Sequence, residues 1–252
     1  MKQRFPVKKQ PNGSAMLNVG CGPVTHLQWN NIDFGPYALL ARHRRVAALL
    51  HRCGVITELR WERLGGIDPA IVRWDLRNGI PYLTSTFDVV YHSHFLEHLR
   101  RRHAPGFLKE CRRVLKSGGV LRVVVPDLAY YFCQYEQSMH DPIAHGQAIE
   151  ALIDQMVRDK ATGPNEQKGA LKFIEKLIRG GAEKAGERHL WMYDAISLKT
   201  LLMDLGFVNC TVQSAVTSVI PGWKEFRLDA DGDGIPRKPE SLYMEAVRPA
   251  QD

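Results

Sequence analysis

Three histidines crowd the stretch His92-Ser93-His94-Phe95-Leu96-Glu97-His98, directly after the β-rich apolar run Phe87-Asp88-Val89-Val90-Tyr91. Imidazole takes and releases a proton near neutral pH, so these are candidate general bases. His94 ranks first, because it falls where the chain leaves the strand; His92 is the second candidate. Glu97 and His98 read as capping or packing residues of the same turn. A second chemical signature lies near the N-terminus, where the apolar run before Gly20-Cys21-Gly22 ends in two glycines. Glycine at a strand end permits a sharp turn and lets backbone N–H groups approach a ligand. Asp33 and Asp75 each close a short apolar segment further on. A glycine loop followed by a strand-end carboxylate suits a nucleoside, the carboxylate taking the ribose hydroxyls.

These residues need elements to hold them. Residues 17–19, 31–33, 71–75, 87–91, 120–125 and 241–247 read as strands, and Phe207 to Val219 as strand-like. Tyr37 to Arg52, Ile56 to Leu64, Ala104 to Leu115 and Ser197 to Leu205 read as helices. Lys116-Ser117-Gly118-Gly119 reads as a helix-terminating loop, and Ser197 as an N-cap. Strands alternating with helices imply an α/β protein with a doubly wound, mostly parallel sheet. Ligands of such sheets bind beyond the carboxyl ends of the strands, where the glycines, both carboxylates and the histidines fall. Residues 1–14 are expected as a disordered basic tail and 15–252 as a single domain. An inserted helical cap is expected over about 130–190.

The 252 residues, 44% of them hydrophobic, suffice for one core. No apolar run approaches the roughly 20 residues of a membrane span, and the basic N-terminus lacks the apolar segment of a signal peptide. The five cysteines are scattered without a CxxC pair, which argues against a disulfide framework and a zinc site and for a reducing cytoplasm. The net charge of +7 allows an anionic partner, but no basic stripe is interleaved with aromatics, so a nucleic acid is not favoured. The run Asp229-Ala230-Asp231-Gly232-Asp233-Gly234, with Glu240, follows calcium-loop spacing. Pro236 and Pro239 interrupt it and no helix pair flanks it, so no metal is expected.

The ordered set of motifs resembles the class I S-adenosylmethionine-dependent methyltransferases, in particular bacterial proteins of the methyltransferase type 11 kind. The residues that carry the resemblance are Leu17 to Gly22, Asn31 to Asp33, Trp74 to Pro81, Phe87 to His98, Arg113 to Asp127, Trp191 to Asp194 and Ser241 to Ala246. The resemblance implies a Rossmann-like seven-stranded sheet and S-adenosylmethionine as cofactor, with S-adenosylhomocysteine as product. It implies that Gly20, Cys21 and Gly22 lie against the methionine end, that Asp33 takes the ribose hydroxyls and that Asp75 takes the adenine amino group. Leu76 would pack on the ring, and His92 and Ser93 would line the methyl-transfer side. Two departures stand out: the gap from Gly22 to Asp33 is short, and Pro23-Val24 replaces a third glycine.

The acceptor is expected to be a small molecule or saccharide, methylated on oxygen or nitrogen and covered by the insert. An RNA or protein methyltransferase is the alternative within enzymes. A non-catalytic, cofactor-binding regulatory protein is the alternative outside them.

Overall fold

In the computed structural model, the described residues are 4–156 and 188–250. Part of the expected cap, 157–187, therefore lies outside them. Seven strands form one sheet: β1 (Met16–Val19), β2 (Asn30–Asp33), β3 (Val72–Arg73), β4 (Phe87–Ser93), β5 (Leu115–Pro126), β6 (Val208–Gln213) and β7 (Ser241–Val247). Their order is β3-β2-β1-β4-β5-β7-β6. The first five strands are parallel, while β7 runs antiparallel to both of its neighbours. Helices are α1 (Pro36–Arg42), α2 (Arg44–Arg52), α3 (Glu58–Gly65), α4 (Ala104–Val114), α5 (Leu128–Gln137), α6 (Pro142–Met156), α7 (Ala195–Asp204) and the short α8 (Trp223–Phe226).

The central strands are apolar on both faces because both faces are covered. Leu17, Val19, Val90, Leu121 and Val123 pack with Leu108 and Cys111 of α4 and Leu198 and Leu202 of α7. Met16, Val89, Tyr91 and Val124 point the other way, as period-2 alternation requires, and pack with Ala215, Trp223 and Leu228. A third cluster joins α1, α2 and α3 through Ala38, Ala47 and Leu64.

The sequence reading needs correction in several places. Residues 4–14 are not a disordered tail. The Arg4 N–H donates to Pro81 O, the Lys8 N–H donates to Asn30 Oδ1 (2.8 Å), and Phe5 meets Trp74 edge-on at 6.2 Å. Lys8 also pairs with the buried Asp68 at 2.5 Å. An apolar ring and a buried carboxylate partner thus anchor this basic segment. The helix expected over 37–52 is two helices, broken at His43 (φ −117°, ψ 56°). Lys116 to Gly119 do not form a loop: β5 starts at Leu115, and its register with β4 slips between Phe87 and Val89. Gly118, at φ +74°, supplies the backbone conformation such an irregularity needs. The N-cap of α7 is Asp194 rather than Ser197; Ser197 sits three residues on and closes a reciprocal capping box (2.7 and 3.1 Å). Strand β6 covers only the first part of the segment read as strand-like.

One charged side chain interrupts the apolar run of β5. Arg122 on β5 is fully buried, and its cross-strand partner in register is Glu245 on β7. The guanidinium donates to Asp229 Oδ2 (2.8 Å), Glu245 Oε1 (2.7 Å), Thr217 O (3.0 Å) and Ser214 O (2.7 Å). Trp223 covers it at 4.3 Å. Asp229, first residue of the acidic run, is thereby turned inward, with Tyr91 Oη donating to its second oxygen at 2.6 Å. Removing one partner of such a group leaves uncompensated buried charge, at a cost of about 3–5 kcal/mol. We expect Arg122→Met to lower the unfolding free energy in urea by at least about 3 kcal/mol; a loss below about 1 kcal/mol would contradict this role.

Candidate active site

The order of the sheet reverses at β1 and β4, and a crevice opens beyond their carboxyl ends. It is an open cavity of about 1710 Å³. Eight of the nine residues expected at the site line it: Gly20, Cys21, Gly22, Asp33, Asp75, Leu76, Ser93 and His94.

The glycine turn follows β1 directly. Gly20 N–H and Cys21 N–H both donate to Ile32 O (2.8 and 3.1 Å), so the turn is clamped to β2 and no helix separates the two strands. Gly20 stands at φ +65°, and a Cβ there would lie 2.4 Å from Phe95 Cδ2. Gly22 stands at φ +52°, and a Cβ there would meet no heavy atom within 4 Å. The first glycine is thus required by packing and by backbone conformation. The second presents bare backbone to open space.

Asp33 ends β2 and accepts from Gly22 N–H (2.8 Å) and Gly35 N–H (2.5 Å). Burial raises its carboxyl above the usual range, and the two N–H groups partly offset this. Each oxygen keeps a further lone pair for a ligand hydroxyl. Asp75 precedes the turn at Leu76–Asn78 and caps it by accepting from Arg77 N–H (3.0 Å). The Arg77 guanidinium holds this carboxyl below its usual value. Arg77 is 84% exposed, so the pair is solvent-screened and weak enough to yield to a ligand amino group.

The segment after β4 is tightly shaped. His94 stands at φ +50°, which costs a non-glycine residue about 1 kcal/mol. Its Nδ1 lies 3.1 Å from Glu97 Oε1, out of line for a hydrogen bond, and its Nε2 lies 3.0 Å from Ser241 Oγ. Glu97 is fully buried and lines the cavity. Burial alone would raise its carboxyl, but His94 and His98 together hold it at about 2. Sequence reasoning placed Glu97 among the capping residues; a carboxylate inside Phe95-Leu96-Glu97 was the available signal for more. His189 and Tyr243 also line the cavity, from the far end of the chain, and no local pattern announces them there.

His92 does not line the cavity. Alternation along β4 turns it away from Tyr91 and Ser93 and into the core, where it is fully buried against Phe107 (5.1 Å) and Phe95 (6.4 Å). Neither ring nitrogen has a hydrogen-bond partner among the described residues. Burial lowers its imidazole to about 4, with Glu97 opposing weakly. A ring without contact to the cavity cannot act as the base there.

This burial has a pH signature. The unfolded chain binds a proton at His92 near pH 6.5 while the folded chain does so only near 4. Stability is complete above 6.5 and falls with pH across that window, by about 1.4 kcal/mol per unit and about 3 kcal/mol in total. We expect His92→Met to flatten this limb of a stability-against-pH curve measured by urea unfolding. An unchanged slope between pH 6.5 and 4 would contradict the burial of a neutral ring.

Comparison with known proteins gives a family resemblance over part of the chain. Residues 17–123 match the methyltransferase domain family model. No curated protein matches. Among solved structures, a possible exported protein from Bordetella parapertussis is similar at 14% identity and TM-score 0.47, covering 96% of this chain and 64% of its own. The chain thus spans less than two thirds of that protein. A Thermotoga maritima methyltransferase described as a possible histamine N-methyltransferase is similar at 12% identity and TM-score 0.45, covering 93% of this chain and 82% of its own. A Haemonchus contortus phosphoethanolamine N-methyltransferase, solved with S-adenosylhomocysteine, is similar at 14% identity and TM-score 0.42, covering 97% and 50%. These distant likenesses carry no argument. The matched segment covers 107 of the 252 residues, holds the glycine turn, both carboxylates and His94, and is similar to a methyltransferase domain.

Proposed function

We propose that the chain transfers a methyl group to an oxygen or nitrogen of a small molecule or saccharide held in the cavity, with His94 as the acceptor-side base. One observation carries this reading. His94 stands at the cavity wall between a buried, ionised carboxylate and a hydroxyl, just past the end of the strand adjacent to the glycine turn.

The residues fit the methyl donor. Gly22 offers backbone with open space before it, and Asp33 and Asp75 line the same cavity as hydrogen-bond acceptors. In this reading Gly20 to Gly22 hold the methionine end, Asp33 the ribose hydroxyls and Asp75 the adenine amino group, with Leu76 on the ring. When bound, S-adenosylmethionine supplies an electrophilic methyl on its sulfonium, and the protein supplies positioning.

A hydroxyl or ammonium acceptor must also lose a proton. Glu97, ionised, favours the His94 tautomer with its proton on Nδ1, which leaves Nε2 as acceptor. Ser241 Oγ occupies the place beside Nε2 that an acceptor hydroxyl would take. The ring then takes the acceptor's proton, and Glu97 stabilises the resulting cation. The exposed rim formed by Arg237 and Lys238 favours acceptors that carry negative or hydroxyl-rich groups.

The test is a panel of sugars, phenols and amines offered to the full chain with S-adenosylmethionine, read by release of S-adenosylhomocysteine. On an acceptor so found, we expect His94→Ala to lower kcat by about 10²–10⁴-fold while the affinity for S-adenosylhomocysteine stays within threefold. Full turnover by His94→Ala would remove the base assignment.

A further inference from the structure

Glu97 stands out among the buried charges of the described residues. It has no exposed surface, and neither carboxylate oxygen has a hydrogen bond there. A desolvated carboxylate without donors costs several kcal/mol, so it calls for a positive partner. His94 sits close but out of line.

Two other histidines face the same point. His98 follows Glu97 by one residue in the turn Leu96–His98. His189 is brought back by the distant chain, because Leu190 N–H and Trp191 N–H both donate to Glu97 O (2.7 and 3.2 Å). Glu97, His98 and His189 each offer one ligand atom, and all these atoms lie within 4.8 Å of one another. No other group of three His, Cys, Asp or Glu among the described residues meets this condition.

The rings are also oriented. Nδ1 of His98 lies 2.9 Å from Arg188 O, and Nδ1 of His189 lies 2.9 Å from Gln155 O. A carbonyl only accepts, so both Nδ1 atoms carry the proton. In the neutral ring the acceptor lone pair is then on Nε2. A second-shell carbonyl on Nδ1 is how metal-ligating histidines are usually held.

We propose that Glu97, His98 and His189 bind one divalent cation of the zinc type. Two imidazoles and one carboxylate are ligands such an ion accepts, with about 3.3 Å between ligand atoms in a tetrahedral site. The three side chains close by up to about 1.5 Å to reach that spacing. All three line the cavity, so the fourth position opens onto it. This extends the proposed methyl transfer, on which the following consequence rests: the open position can hold an acceptor oxygen and lower the pKa of its hydroxyl. The ion itself requires only these three residues.

The full chain, stripped with a chelator, is titrated with zinc by calorimetry and with cobalt(II) by visible absorption. S-adenosylhomocysteine binding is measured in parallel. We expect one ion per chain at micromolar affinity or tighter, with ligand-field bands from bound cobalt. Glu97→Gln and His189→Ala should each weaken binding at least about tenfold while retaining the far-ultraviolet circular dichroism of the parent. If one variant does not fold, His98→Ala replaces it. Absence of binding, or affinities unchanged in the folded variants, overturns the proposal. A chain that binds metal but not S-adenosylhomocysteine overturns the methyl-donor reading alone; the opposite pattern overturns the metal site alone.

Discussion

A strand-end carboxylate holds the glycine-turn side of this site together. Asp33 spans two turns that belong to different strands, accepting from Gly22 N–H after β1 and from Gly35 N–H before α1. The glycine turn is also tied to Ile32 O. Burial raises the carboxyl, so its ionised form depends on those backbone donors for compensation. In the proposed reading, the atoms that fix the turn are also those the ribose would meet. On that reading, positioning of the ligand and stability of the loop are one interaction.

The histidine side of the cavity has a comparable hub in Glu97. Its backbone carbonyl takes the N–H groups of Leu190 and Trp191, which returns the late chain to the turn after β4. Its side chain faces His94 and belongs to the cluster with His98 and His189. The left-handed backbone of His94 is held in place by His94 N–H donating to Val124 O at 2.9 Å. Behind this hub the buried network of Arg122, Asp229 and Glu245 ties β5 and β7 to the segment that roofs the opposite face. The rigidity of the wall on which His94 stands thus rests on charges that never meet solvent.

Much of this was legible from residue order. Strands β1, β4 and β7 follow from short apolar or alternating runs, and α4 from Phe107, Leu108, Cys111 and Val114 at helical spacing. The glycines and both strand-end carboxylates could be placed because a parallel sheet gathers its strand ends on one side. What was not legible depends on tertiary context. The direction of His92 against His94 depends on where alternation stops at the end of β4. Arg122 reads as an interruption of an apolar strand until Glu245 appears in register across β7. Residues 4–14 carry the composition of a tail, yet Phe5 and Lys8 find partners in Trp74 and Asp68. His189 joins Glu97 and His98 across some ninety residues of chain, a proximity that spacing along the sequence does not encode.

The central claim is that the crevice at the ends of β1, β2 and β4 binds the methyl donor. Calorimetric titration of S-adenosylhomocysteine into the full chain, alongside Gly22→Val, tests it most directly. The account predicts one saturable site in the parent chain, with affinity lost in the variant, where a β-branched side chain at positive φ would intrude on the open backbone. No heat and no rise in Tm at millimolar ligand, or equal binding by Gly22→Val, would contradict it.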